Sequence, residues 1–406
     1  MTTDQILSLE PALAEFLGEF ADCFGRAEPR EHLFHYVRGQ LSNLPRKSVE
    51  PIALFNNLAP RTLQEFLASD VWNHAQARDC VQRIVARDHE DPKAIGIIDD
   101  SGHGKSGQKT PGVQRQYCGR LGKITNCVVT VQLAFSSFDT HFRTMLDTEL
   151  FLPESWNEDR ERCRRAGIPD NVVYRSKYQI ALELLDRAEA NGVHLEWVVA
   201  DTWYGEKPNF LAGLEQRQRR YVVEIPRNLQ GWFYHPGAQP RHPARGVEEL
   251  CHQAKQMTRQ PWTPFHIKDT DKGPMVWMVK TAPLWLWRGG QVLAGYHLVW
   301  AYDPLSPEEE KWFLVWDPLE DKLETWLHVG FARWSMERTL EDKKSELGFS
   351  HFEVRTYRAL MRHWYITLVS HLFLARQTER LRGKKPSHHG EPGQDCCQRT
   401  GDHVTL

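Results

Sequence analysis

Two acids close a short apolar run, AIGIID, at Asp99 and Asp100, and a third closes HLEWVVAD at Asp201. A carboxylate at the end of a buried strand points to the carboxyl edge of its sheet, the edge where open α/β sheets take their ligands. If the two strands are neighbours, these side chains converge there. A fourth acid, Glu337, lies in FARWSMERTLEDKKSELG. At about 100° per residue, Arg333, Glu337 and Lys344 fall within about 40° of one another, beside an apolar stripe of Met336, Leu340 and Leu347. Read alone, that spacing suits a surface salt-bridge ladder as well as a glutamate held over a sheet edge.

The elements that must position these groups follow from the flanking sequence. Residues 1–92 carry apolar residues at i, i+3, i+4 spacing, such as Leu13, Phe16 and Leu17, and predict a helical domain. AIGIID reads as a first strand that stops at the acid pair. The following SGHGKSGQKTPGVQRQYCGRLGK reads as a basic, glycine-rich loop, and Ser101 to Cys127 holds five Lys/Arg and no Asp or Glu. NCVVTVQLAF and DTELFLP read as the second and third strands. A helix over 178–190, a strand ending at Asp201, a short helix from Pro208 and the strand YVVEIP complete a β-β-β-α-β-α-β order, which predicts a mixed five-stranded sheet with helices on it.

Residues 227–310 break that alternation with Pro, Gly, Trp and short strand-like runs, and predict a β-rich insertion with a hairpin turn at Gly289-Gly290. Trp285 and Trp287 are its candidates for stacking on a base, although dense tryptophan is usually core. Helices return from Leu323 to Leu347 and from Phe352 to about Arg380. The polar tail over 381–406 has the composition of a disordered segment. The expected divisions are therefore 1–92, 93–226, 227–310, 311–380 and 381–406.

Composition removes several classes. Apolar residues make up 41 % and charged residues 26 %, a globular balance, and the longest apolar runs are half a membrane span. The eight cysteines show no Cys-x-x-Cys pair, so reduced thiols are expected rather than a zinc finger or disulfides. A formal charge of -2 leaves any nucleic-acid binding to local patches.

Taken together, IIDDSGHGKSG with GVQRQYCGRLGKITNC, then VVADTWYG, then RWSMERTLEDKKSELGFSHFEVR resemble the DDE transposases of bacterial insertion sequences. The Arg-(3)-Glu-(6)-Lys spacing resembles the Tyr-Arg-Glu-Lys motif of one branch, with Gly330 where that branch has its tyrosine. The resemblance covers roughly residues 15–375.

It implies an RNase H-like core with a helical N-terminal DNA-binding domain and a β-rich insertion before the last catalytic helix. It implies Asp100, Asp201 and Glu337 as the catalytic, metal-binding triad, with Asp99 as a supporting group. Two Mg²⁺ ions, or Mn²⁺ in their place, would serve in-line displacement at phosphorus. It implies Arg333 and Lys344 as DNA contacts, and the basic stretch adds Lys105, Lys109, Arg115, Arg120 and Lys123. The partners implied are double-stranded DNA, both terminal inverted repeats and target, and a second subunit when bound to DNA. The location implied is the bacterial cytoplasm, at the nucleoid. A nuclease without strand transfer and a non-catalytic repressor of the parent element are the alternatives.

Overall fold

The computed structural model describes residues 8–240, 242–270, 273–333 and 346–382. Twelve strands occur among them: β1 (Ile95–Gly104), β2 (Gln114–Cys118), β3 (Lys123–Ser136), β4 (Arg143–Leu150), β5 (Trp197–Ala200), β6 (Arg220–Glu224), β7 (Gln230–Gly231), β8 (Arg245–Gly246), β9 (Thr263–Thr270), β10 (Gly273–Arg288), β11 (Gln291–Asp303) and β12 (Ser306–Trp316). Five of them form the expected core in the order β4–β3–β1–β5–β6. β1 is antiparallel to β3, and β3 to β4, whereas β1, β5 and β6 run parallel. Helix Lys177–Ala190 connects β4 to β5, and helix Pro208–Gln216 connects β5 to β6. This is the RNase H-like arrangement.

The first helix starts where its sequence says it must. Ser176 accepts from the backbone of Gln179, and the Gln179 side chain accepts from the backbone of Ser176, a reciprocal cap. Ile180, Leu184 and Leu185 then share the face buried on the sheet.

Three expectations are corrected. β1 does not stop at the acid pair; it runs on to Gly104, because β3 pairs with it continuously from Ser136 to Cys127. Much of the expected loop is therefore strand, and β2 pairs with the start of β3 to form a ribbon beyond β1. Next, the strands of the β-rich insertion do not form a separate sheet. β12 crosses residue 310 and pairs antiparallel with β6, so β12, β11, β10 and β9, together with β2, extend the core sheet to ten strands.

The last correction concerns Trp285 and Trp287. Phe313 is level with Glu224 at the carboxyl end of β6, and Trp316 with Tyr221 at its start. Tyr296 pairs with both Trp316 and Leu284. Trp285 and Trp287 lie beyond Leu284, at the far end of the sheet from Glu224. Counted along the strands, Trp287 is six residues, roughly 20 Å, below the edge that carries Asp201. Trp287 is 49 % exposed and stands at the opposite end of the sheet from that edge, not beside it as expected.

The N-terminal segment is helical as expected, with helices Leu9–Gly18, Ala27–Leu41, Val49–Phe55, Pro60–Ala68 and His74–Asp88. The final helix, Tyr357–Arg382, lies between these helices and the sheet. Towards the sheet, Thr144 donates to His371 Nδ1 at 3.1 Å. Towards the N-terminal helices, Gln40 Nε2 donates to Thr367 at 2.8 Å, and Ser370 donates to Gln40 Oε1 at 2.7 Å. Arg362 donates to four carbonyls, of Phe66, Leu67, Asp70 and Trp72, with its guanidinium 4.4 Å over the Trp72 ring. A guanidinium has donors enough to close a helix end in this way. The six cysteines among the described residues are free, and none of the described helices is long and apolar enough to cross a membrane. The tail beyond Arg382 lies outside the described residues.

Candidate active site

Alternation along β1 separates the two acids at its centre. Gly96, Ile98 and Asp100 share one face, and Ile97, Asp99, Ser101 and His103 the other. A Cβ on Gly96 would meet Leu185 and Leu195, so the Asp100 face is the one covered by helix Lys177–Ala190. Asp100 Oδ2 lies 2.6 Å from Lys177 Nζ in the first turn of that helix. The other face belongs to the C-terminal segment, where buried His103 reaches Ser350 at 3.0 Å and Thr130 at 3.3 Å.

β5 is short. Ile97 pairs with Val199, so the strand has run out by the level of Asp100. Asp201 follows immediately and caps helix Thr202–Gly205, accepting from the backbone N–H of Tyr204 at 3.3 Å. The two carboxylates thus stand on neighbouring strands at one edge of the sheet. Burial raises the Asp201 carboxyl above the ordinary range. The charge of Asp100 raises it further, against the Tyr204 N–H and the charge of Arg333, which lower it. Tyr204, fully buried beneath, has its hydroxyl pushed far up by burial and by Asp100, Asp99 and Asp201.

Gly205 closes this corner. A Cβ there would fall 1.9 Å from the Glu224 carbonyl oxygen, so only glycine lets the Asp201 turn lie against the end of β6. Glu224 supplies a third acid at the same edge. Lys311 of β12 donates to it at 2.7 Å, and Arg333 at 3.3 Å. Despite its burial, these two cations hold the Glu224 carboxyl below the ordinary range. Arg333, expected on DNA, therefore sits inside the acid cluster, with only 16 % of its side chain exposed. It ends the described part of helix 323–333. On that helix, Gly330 is buried with its Cβ position 3.0 Å from Val222 and 3.6 Å from Phe313. A side chain at this position would press on Val222, so glycine suits the close packing of the helix on the sheet. Glu337 and Lys344 lie outside the described residues.

The basic stretch divides. Lys109, Arg115 and Lys123 are exposed. The side chain of Arg120 lies outside what is described. Lys105 turns inward instead. Its ammonium donates to the carbonyls of Ser350 at 3.2 Å and Phe352 at 2.7 Å and lies 3.3 Å from the centre of the Phe352 ring. Burial pulls its pKa down to about 8. Lys105 therefore ties the end of β1 to the approach of the final helix, its ammonium resting on backbone carbonyls.

Reasoning from sequence missed Lys177 and Glu224. Glu224 was open to view as the acid that closes YVVE, in the same way that Asp201 closes its strand. Lys177 had a subtler sign: a cation in the first turn of a helix opposes the helix dipole and needs an acid nearby.

The donor set is oxygen only, which is what Mg²⁺ prefers. The mutual repulsion that raises Asp201 is what a divalent cation between the two carboxylates would relieve. Among the described residues no three ligands gather closely enough to hold a metal by themselves.

A family model described as DDE superfamily endonuclease matches residues 19–278, a span that includes Asp100 and Asp201. The chain belongs to the DDE superfamily endonucleases. This DDE-superfamily chain is also 31 % identical over 198 residues to a protein named probable transposase for insertion sequence element IS701, from Microchaete diplosiphon. The match spans 48 % of this chain and 49 % of the relative, so the chain covers about half the length of that protein.

Proposed function

We propose that this DDE-superfamily protein is a transposase that cuts DNA at the ends of an insertion element and joins the freed 3′ ends to target DNA. The observation that carries the reading is the placement of Asp100 and Asp201 on adjacent parallel strands at one sheet edge, each within the electrostatic reach of the other. Asp100, Asp201 and Glu337 would hold the metal pair. Two Mg²⁺ ions bound there supply activation of the attacking oxygen and stabilisation of the leaving one. Lys177 neutralises the charge of Asp100 and would turn to a phosphate oxygen were that carboxylate to hold a metal. With Lys311, Arg333, four residues before Glu337 in the sequence, keeps Glu224 ionised. Lys344 and the exposed cations Lys109, Arg115 and Lys123 would hold the DNA backbone, and a second subunit would hold the second end.

The test uses a duplex drawn from the DNA flanking the gene, with Mg²⁺ and a supercoiled plasmid as target. Cutting followed by joining is expected. Cutting without joining would favour a nuclease, and binding without either a repressor.

Asp100→Asn should reduce cutting far more than Asp99→Asn. Asp99 lies on the opposite face, and a group that supports a ligand costs about 10–100-fold. A reversed ranking would move the site by one residue. Affinity for the duplex should fall steeply with salt. Replacing Lys109, Arg115 and Lys123 by Ala should flatten the log–log slope by roughly 3, about 0.9 for each phosphate no longer neutralised. An unchanged slope would remove these three from the interface.

A further inference from the structure

We propose that the ribbon of β2 with the start of β3 is a DNA-bending arm folded over the end of β1, whose Tyr117–Ile124 pair wedges between base pairs beside the cut. The proposal rests on the transposase reading, and its test separates the two.

The register places the arm. Asp100 pairs with Val131, and Gly104, the last residue of β1, with Cys127. β2 continues alongside β3 from Cys127 to Lys123, and the ribbon folds back over the end of β1, where a Cβ on Gly102 would lie 2.8 Å from Cys118 Sγ and one on Gly104 3.4 Å from Leu121. Its inner face is packed along its length, with Cys118, Cys127 and Val129 forming a small buried cluster of their own and Gln116 Nε2 donating to the Cys127 carbonyl at 3.0 Å. Its other face is open. Tyr117 and Ile124 stand directly opposite one another and are 63 % and 61 % exposed, and Leu121 at the turn is 48 % exposed. A cross-strand aromatic–aliphatic pair normally stabilises a sheet by being covered. Here it crowns a bare ribbon.

Charge selects the occupant. From Ser101 to Phe138 the chain carries five Lys/Arg and no Asp or Glu. A second copy meeting this ribbon across a twofold axis would set like charges against each other. Duplex DNA answers both features, with phosphates for Arg115 and Lys123 beside the ribbon and an opened base step for the apolar pair. Proteins that insert apolar side chains between base steps kink the duplex by roughly 20–90°.

The experiment places a fluorophore at each end of a duplex of about 40 base pairs from the gene's flanking DNA and reads energy transfer as full-length protein is added. Wild type should raise the transfer. Tyr117→Ser with Ile124→Ser should abolish most of the rise while Kd changes by less than about tenfold, since the phosphate contacts remain. Tyr117→Phe with Ile124→Leu should restore the bend, which a misfolded arm would not. A wild-type bend in the serine variant overturns the proposal. So does a serine variant that bends DNA normally but alters self-association of the DNA-free protein in sedimentation, which would make the ribbon a subunit contact. Failure of the wild type to bind any duplex overturns the transposase reading and the arm with it.

Discussion

Asp201→Asn and Glu337→Gln will each abolish Mg²⁺-dependent cutting while leaving duplex binding close to wild type. Both substitutions keep the shape and remove the charge. Asp201→Asn also keeps an oxygen to cap helix Thr202–Gly205, so the corner at Gly205 survives. Metal ions contribute several kcal/mol of charge stabilisation to a displacement at phosphorus. At 1.36 kcal/mol per decade, losing most of that slows cutting on the order of 10³–10⁴-fold. Binding rests on many phosphate contacts and changes little. Cutting is measured on an end-labelled duplex, and binding by gel shift in EDTA. A rate within tenfold of wild type in either variant would remove that residue from the triad.

The second large effect is on stability. The protein will lose stability steeply as the pH falls from about 6.5 towards 4. His363 is buried between the final helix and the N-terminal helices, where its Nε2–H donates to the Gly348 carbonyl at 3.1 Å and its Nδ1 accepts from the Tyr36 hydroxyl at 2.9 Å. Both ring nitrogens are used by the neutral form, and burial pushes the pKa down to about 4. Burial also pulls His74 and His89 down to about 4, with Arg362 and Arg376 respectively adding to the shift. The unfolded chain takes up protons near pH 6.5, and the folded chain does so only near 4. Stability is therefore complete above the unfolded value and falls through this window. For His363 alone the loss is about 3 kcal/mol at the bottom of it, a large share of an ordinary folding free energy. Urea unfolding at pH 7 and pH 4.5 measures the difference. Equal midpoints would mean that these histidines are not held neutral. His363→Gln should lessen the dependence.

The local pattern of the core was legible in the sequence, and its long-range pairing was not. VVTVQLAF and WVVA announce strands by β-branching and apolar runs, and Asp201 could be placed at a strand end from its neighbours alone. SGHG reads as a loop because glycine and serine are poor strand formers. It is strand only because β3 reaches it, with His103 buried under Phe349. The junction of β6 with β12 joins segments about ninety residues apart, and nothing local in YVVE or WFLVW names the other as its partner. The same limit hid the inward turn of Lys105 and the clasp of Arg333 on Glu224. Each depends on a residue far away in the chain, so a charge count could not tell a solvated cation from a buried one.

The position of the final helix has a consequence for how the protein is made. Tyr36 meets His363 across 327 residues of chain. At 5–20 residues per second, a ribosome needs roughly 15–65 s to deliver that partner after the N-terminal helices have emerged. For all that time their apolar face, with Phe66, Trp72 and Tyr36, waits uncovered, a natural client for a nascent-chain chaperone. A message cut short before codon 357 leaves the N-terminal helices and the sheet without the helix that packs between them.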